Sequence, residues 1–229
     1  MTYSTQTSVS DVCVVVPAAG SGVRLGEPVP KAFVALDDRT IVEHCVDTVR
    51  ALGVMVVVVV PADLVDRARG SLPADVAVVA GGAHRSDSVR AGLAAAGDAE
   101  IVLVHDAARP LTPPTVFHRV IDAVRAGHAA VVPGVPVADT LKEVDADAAV
   151  TRTVDREALR AVQTPQGFAA AALARAHADD AGVATDDAGL AERAGIAVHV
   201  VPGDALAFKI TTPWDLRIAR TVLAEGVHR

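Results

Sequence analysis

Three glycines, an arginine and a lysine stand where an apolar run ends, in Pro17-Ala18-Ala19-Gly20-Ser21-Gly22-Val23-Arg24-Leu25-Gly26-Glu27, followed four positions later by Lys31. A loop of this composition can wrap a polyphosphate. Glycine lets backbone N–H groups approach an anion closely, and Arg24 and Lys31 would offset the charge a triphosphate carries and the charge that grows at its reacting phosphorus. Two better-known phosphate loops are excluded by spacing. A dinucleotide fingerprint needs G-x-G-x-x-G leading into a helix, whereas Gly20, Gly22 and Gly26 give G-x-G-x-x-x-G with Pro28 and Pro30 behind. A Walker A loop needs G-x-x-x-x-G-K followed by Ser or Thr, and neither spacing nor dipeptide is present. Taken alone, the stretch fits an ordinary glycine turn with solvated charges about equally well.

Further clusters follow other apolar runs. Gly81-Gly82-Ala83-His84-Arg85-Ser86-Asp87-Ser88 offers backbone amides and the Ser88 hydroxyl to a base or ribose, and equally the start of a capped helix with exposed charges. His105-Asp106-Ala107-Ala108-Arg109-Pro110 brings a carboxylate and a guanidinium together. In a phosphate site Asp106 can hold Mg²⁺ or orient a hydroxyl; in isolation the pair reads as a structural ion pair. His105 is expected to pack or hydrogen-bond locally, because transfer to an ionised acceptor needs no general base. Thr140, Arg156, Thr164, Thr185 and Lys209 are individually surface or capping residues, and only their order as a set carries meaning.

These clusters need a scaffold that ends several strands at one edge. The 229 residues suffice for one sizeable core, and a content of 51% hydrophobic but 3% aromatic residues points to a Val, Ala, Leu and Ile core, as in a parallel sheet covered by helices. Val12–Val16, Val54–Val60, Val76–Val79, Ile101–Val104, Ala129–Val132 and Ala197–Val201 read as strands. Helices are expected after Thr40, whose Thr-x-x-Glu spacing is a capping box, from about Arg85 to Ala96, from Pro113-Pro114, over 170–179 and 187–194, and from Thr212-Pro213. Repeated β-α-β units give an open, mostly parallel sheet with its ligand at the carboxyl ends of the strands. Residues 135–157 depart into short alternating pieces with a turn at Asp145-Ala146-Asp147, which read as a mobile surface loop or as a β-rich arm that a partner subunit would give something to pack against.

A net charge of −7 argues against a general nucleic-acid binder, though not against a local basic pocket. Cys13 and Cys45 read as small buried hydrophobes. The first ten residues are polar, without a signal-peptide pattern, and no apolar run is long enough to span a bilayer, so the expectation is a cytoplasmic protein with a flexible N-terminus over 1–10.

As an ordered set, PAAGSGVRLG with PKAF, GGAHRSDSV, VHDAARP, VADTLK, TVDRE, QTPQGF, TDDA and FKITTPWDL closely resemble the 2-C-methyl-D-erythritol 4-phosphate cytidylyltransferases of the non-mevalonate isoprenoid pathway, over about Val12 to Leu223. The resemblance implies one Rossmann-like nucleotidyltransferase domain over 1–229: an open, mostly parallel twisted sheet flanked by helices, with 135–157 as a protruding dimerisation arm. It implies attack of the acceptor phosphate on the α-phosphorus of CTP with release of pyrophosphate. Arg24 and Lys31 would stabilise the transition state, and Arg156 and Lys209 would complete the catalytic set. Pro17, Ala18, Ala19, Gly20, Gly22, Gly82, Ser88 and Asp106 would meet the nucleotide. Asp106, Arg109, Thr140, Arg156, Thr164, Thr185 and Lys209 would meet the acceptor. Mg²⁺ would be held mainly by the CTP phosphates, with Asp106 as the candidate protein ligand, and Thr140 and Arg156 would complete the neighbour's site in a homodimer.

Ala83 and Phe208 depart from the family, which often has Asp at the first position and Asn at the second. The first removes a side-chain contact near the cytosine; the second alters the entry to Lys209. A ribitol 5-phosphate cytidylyltransferase resembles the chain throughout and is the nearest rival. A non-catalytic nucleotide sensor is opposed by the joint presence of Arg24, Lys31, Arg156 and Lys209, and a dinucleotide oxidoreductase by the loop spacing.

Overall fold

The computed structural model describes residues 11–20, 25–27, 29–178 and 186–226. The expectation for residues 1–10 lies outside them. An 8-stranded sheet runs through the described residues: β1 (Val12–Pro17), β2 (Met55–Val60), β3 (Ala77–Ala80), β4 (Ile101–Val104), β5 (Ala130–Pro136), β8 (Arg160–Val162), β9 (Gln166–Ala169) and β10 (Val198–Pro202). Its order is β10-β5-β9-β4-β1-β2-β3, with β8 beside β5. The pairs β1·β2, β2·β3, β1·β4 and β5·β10 are parallel, whereas β9 lies antiparallel between β4 and β5 and β8 is antiparallel to β5. The expected mostly parallel sheet is therefore present.

Alternation along β1 explains its Val-rich sequence. Val12, Val14 and Val16 face one core with α1 (Ile41–Arg50) and α4 (Pro114–Arg125), while Cys13 and Val15 face a second with α3 (Arg85–Ala94), α5 (Ala170–Ala178) and α6 (Asp187–Arg193). A strand buried on both faces has no use for a polar side chain. Both cysteines are buried, and burial pushes the Cys13 thiol up to about 12. Helix α3 sits close on the sheet because Gly92 has no side chain: a Cβ there would overlap a Val15 methyl.

The starts of the helices follow their capping chemistry. Thr40 Oγ1 accepts from Glu43 N and the Glu43 carboxylate accepts from Thr40 N, and Thr212 with Asp215 repeats the arrangement before α7 (Pro213–Glu225). A third apolar cluster, including Leu25, Val34, Ile41, Ile210 and Leu216, holds α7 against the turn that carries Lys31. Two elements escape sequence reading. Helix α2 (Val65–Ser71) buries only Ala68 and so has no apolar stripe, and β9 is four residues, Gln-Gly-Phe-Ala, with no β-branched member.

The arm is present as an antiparallel pair, β6 (Lys142–Val144) and β7 (Val150–Thr153), separate from the main sheet. Every residue of both strands is exposed.

Candidate active site

Order in the sheet reverses at β1, since β2 and β3 lie to one side and β4 to the other. A crevice must open there at the carboxyl ends, where connections leave in opposite directions. It is a pocket of about 450 Å³ lined by Pro17, Ala18, Ala19 and Gly20 after β1, Gly82 to Arg85 and Ser88 after β3, Asp106 to Ala108 after β4, and Lys31, Ala32 and Lys209. Main-chain bonds fix these ends: Ala18 N donates to Val59 O at 2.7 Å, Gly81 N to Val60 O at 2.8 Å, and His105 N to Val15 O at 2.9 Å. Gly82 has a packing reason as well, because a Cβ would overlap Asp87 Cβ and displace the carboxylate that accepts from His84 N at 2.9 Å.

Asp106 is the electrostatic centre. Lys209 Nζ lies 2.8 Å from Asp106 Oδ2, Arg109 Nε 3.8 Å from the same oxygen, and Arg85 3.8 Å from Oδ1. Burial alone would raise the Asp106 pKa, but Lys209 first, then Arg85 and Arg109, hold it at about 2. The lining thus sets Lys31, Arg85 and Lys209 against one carboxylate, a local excess of positive charge on an acidic chain. Such a pocket suits a polyphosphate.

Lys209 is brought here by a relay of main-chain contacts. Arg109 donates to Ala207 O at 2.6 Å, Ile210 N to Ala108 O at 2.9 Å, and Lys31 Nζ to Ile210 O at 2.7 Å, so the turn of Lys31, the loop of Asp106 and the segment of Lys209 move as one. Gln163 adds a two-way clasp, donating to Asp204 O at 2.7 Å and accepting from Asp204 N at 3.0 Å.

His105 is buried against Phe117 and stays out of the pocket. Its Nε2 donates to Arg109 O at 3.2 Å, which leaves Nδ1 to accept from the Thr164 hydroxyl at 3.1 Å; the Thr164 oxygen in turn accepts from Asp106 N at 3.0 Å. Burial lowers the His105 pKa to about 4, so this network holds a neutral imidazole. His105 thus packs and hydrogen-bonds locally, as expected.

Of the residues singled out by sequence, Pro17, Ala18, Ala19, Gly20, Lys31, Gly82, Ser88, Asp106 and Lys209 line the one pocket, with Arg109 and Thr164 directly behind Asp106. Thr140 and Arg156 do not. Both are exposed at the base of the arm, where Arg156 donates to Ala138 O. Gly22, Arg24 and Thr185 lie outside the described residues. Sequence reasoning took Arg85 for an exposed helix-start charge, but it lies between Asp106 and the fully buried Asp187, 2.7 Å from the latter. A separation of 102 positions hid that pairing.

A sequence model of the 2-C-methyl-D-erythritol 4-phosphate cytidylyltransferase family matches residues 12–225. The Nocardia farcinica protein of that name is 59% identical over 93% of this chain and 94% of its own, and the Rhodococcus jostii protein 56% identical over 95% and 97%. Among solved structures, the Thermus thermophilus enzyme of that name superposes with a TM-score of 0.78 at 39% identity, covering 93% of this chain and 98% of that one.

Proposed function

The chain belongs to the 2-C-methyl-D-erythritol 4-phosphate cytidylyltransferase family, and from that premise we propose how its residues divide the work. The enzyme transfers CMP from CTP to 2-C-methyl-D-erythritol 4-phosphate, in the non-mevalonate route to isoprenoids. An oxygen of the acceptor phosphate forms the new bond to the α-phosphorus, the bond from that phosphorus to the β-phosphate bridge breaks, and pyrophosphate leaves. No proton has to be removed from an ionised phosphate, in keeping with a neutral, sequestered His105. The observation that carries the reading is the meeting of Lys31, Asp106 and Lys209 in one pocket at the strand switch point.

In the proposed division, Ala18, Ala19, Gly20, Gly82 and Ser88 hold the nucleotide. Lys31, with Arg24, opposes charge growing on the α-phosphoryl oxygens. Lys209, steadied by Asp106, receives the acceptor phosphate together with Arg109 and Thr164. Thr140 and Arg156 reach the acceptor from a second subunit, a reading supported by their absence from the lining of their own chain's pocket and by the exposed Leu141, Val144 and Val150 of the arm.

Among the described residues no group of three His, Cys, Asp or Glu could hold a metal, and Asp106 is already engaged by Lys209. The described residues do not by themselves build a resident Mg²⁺ site. Mg²⁺ is therefore proposed as the companion of the CTP phosphates, with Asp106 as the nearest protein carboxylate. No described helix is long and apolar enough to cross a membrane; the cytoplasm is the proposed location because CTP is an intracellular nucleotide.

The test is incubation with CTP and Mg²⁺ and either methylerythritol phosphate or ribitol 5-phosphate, following pyrophosphate. Faster turnover of the methylerythritol phosphate is expected. Faster turnover of ribitol phosphate would reassign the acceptor, and CTP binding without pyrophosphate from either would leave a nucleotide sensor.

A further inference from the structure

Into the pocket from behind runs a line of polar side chains whose inner members, His177, Asp187 and Arg85, have no role in the reaction as described. His177, in the last turn of α5, donates from Nε2 to Asp187 Oδ1 at 3.0 Å. Asp187, the first residue of α6, has no exposed surface, and its other oxygen lies 2.7 Å from Arg85. Arg85 opens α3 and reaches on to Asp106 Oδ1 at 3.8 Å. Lys209 occupies Asp106 Oδ2. Three helices and two strand-end loops are thus joined by alternating charges that end at the ammonium ion facing the pocket.

An arginine whose Nη2 is held 2.7 Å from a fully buried carboxylate has little freedom to follow a substrate. Its remaining influence falls on the carboxylate in front of it. Arg85, 3.8 Å from one Asp106 oxygen, attracts it electrostatically while Lys209 holds the other at 2.8 Å, and together they favour one orientation of the carboxylate; without Arg85 that orientation loses one of its two supports. We propose that Arg85, anchored by the buried Asp187–His177 pair, is a positioning residue for the acceptor half of the reaction, fixing Asp106 and through it Lys209. This rests on the cytidylyl-transfer reading above.

The competing roles are a direct phosphate contact and a purely structural one. Arg85→Gln alone leaves Asp187 buried without its cation and endangers the fold. The decisive variant is therefore Arg85→Gln with Asp187→Asn, in which a neutral amide pair replaces the ion pair. Three quantities are measured: the thermal midpoint, CTP affinity by calorimetry, and KM for the acceptor. The expected result is a midpoint and CTP affinity near those of the parent with acceptor KM raised roughly tenfold, the scale on which charged neighbours couple. Acceptor KM at the parental value would make the network structural only and overturn the proposal. An equal loss of CTP affinity would make Arg85 a nucleotide ligand and overturn it too.

If the double variant does not fold, Arg85→Lys decides. It keeps a positive charge near Asp187 on a shorter side chain that cannot bring it to the place Nη2 holds between the two carboxylates, so acceptor KM should still rise with CTP affinity intact, and an unchanged KM counts against the proposal. A parent chain that makes no pyrophosphate from CTP and methylerythritol phosphate is a different outcome: it removes the reading of function, and the proposal with it.

Discussion

The pocket floor and the arm are built on opposite terms. On the floor, Asp106 has cations on both carboxylate oxygens and its own N–H is bound by Thr164; the loop is tied to the sheet on one side and to the Lys209 segment on the other. The arm has only itself. Lys142 Nζ donates to Thr153 Oγ1 at 2.6 Å, the Thr151 hydroxyl to Glu143 O at 3.1 Å, and Arg152 pairs with Glu143, all in full view of solvent. A two-stranded hairpin is marginal in water when nothing covers it. Such a contrast supports the proposed division, in which the chain builds the nucleotide half and the floor of the acceptor half itself and Thr140 and Arg156 of a second copy complete the latter.

The largest effect should come from the floor. Lys31→Ala is expected to lower turnover by about 2.7–4 kcal/mol of transition-state stabilisation, on the order of a hundred- to a thousandfold, as when other preorganised donors are removed. Calorimetric CTP affinity should change far less. Equal losses in both would make Lys31 a ground-state ligand and weaken the contrast between a finished floor and an unfinished arm.

Acid should expose the floor's construction next. Unfolded His105 takes a proton near pH 6.5, whereas the folded imidazole, buried against Phe117, resists until about pH 4. The unfolded state therefore binds more protons in that window, and stability must fall as pH drops from 6.5 to 4, by roughly 3 kcal/mol from this group alone. Above pH 6.5 the group contributes no slope. Denaturant titrations of the parent and of His105→Gln should converge toward pH 4, with the variant flatter; parallel curves would show that His105 is not held neutral by the fold.

The two regions were also unequally legible in the sequence. Strands buried on both faces announce themselves as Val runs, so the β1 and β4 ends, and with them Pro17 to Gly20 and Asp106, could be placed without coordinates. The capping patterns at Thr40 and Thr212 fixed two helices for a local reason. What sequence could not supply was long-range pairing. Arg85 reads as a surface charge until Asp187 is beside it, and Lys31 reads as a loop lysine until its ammonium reaches Ile210 O. Antiparallel β9 was missed because its neighbours, rather than its own four residues, make it a strand. The arm was visible as a change of texture, but its purpose came from the resemblance alone.

Arg156→Ala should then raise acceptor KM roughly tenfold, about 1.4 kcal/mol, with CTP affinity unchanged. Mixing decides whether the residue acts across the interface. In a dimer of one Lys31→Ala subunit and one Arg156→Ala subunit, action in trans places both defects in one site and leaves the other whole. Action within one chain leaves no whole site. Recovery of activity at low acceptor concentration on mixing the two impaired proteins supports the completed-by-a-partner arm, and no recovery breaks it.

The smallest effect concerns the arm's own ion pair. Arg152 and Glu143 have side chains 64% and 52% exposed in the single chain. At that exposure, solvent and salt screen the attraction and side-chain entropy offsets the rest, so Glu143→Ala should cost at most about 0.5 kcal/mol. The midpoint should move little, and less still at high salt. The measurement nonetheless reports on assembly, because an ion pair desolvated by a partner loses that screening, and removing one member then leaves the other uncompensated. A loss that is large at high protein concentration and vanishes on dilution would place Glu143 and Arg152 inside the interface. A small loss at every concentration would leave this pair in water, outside any interface.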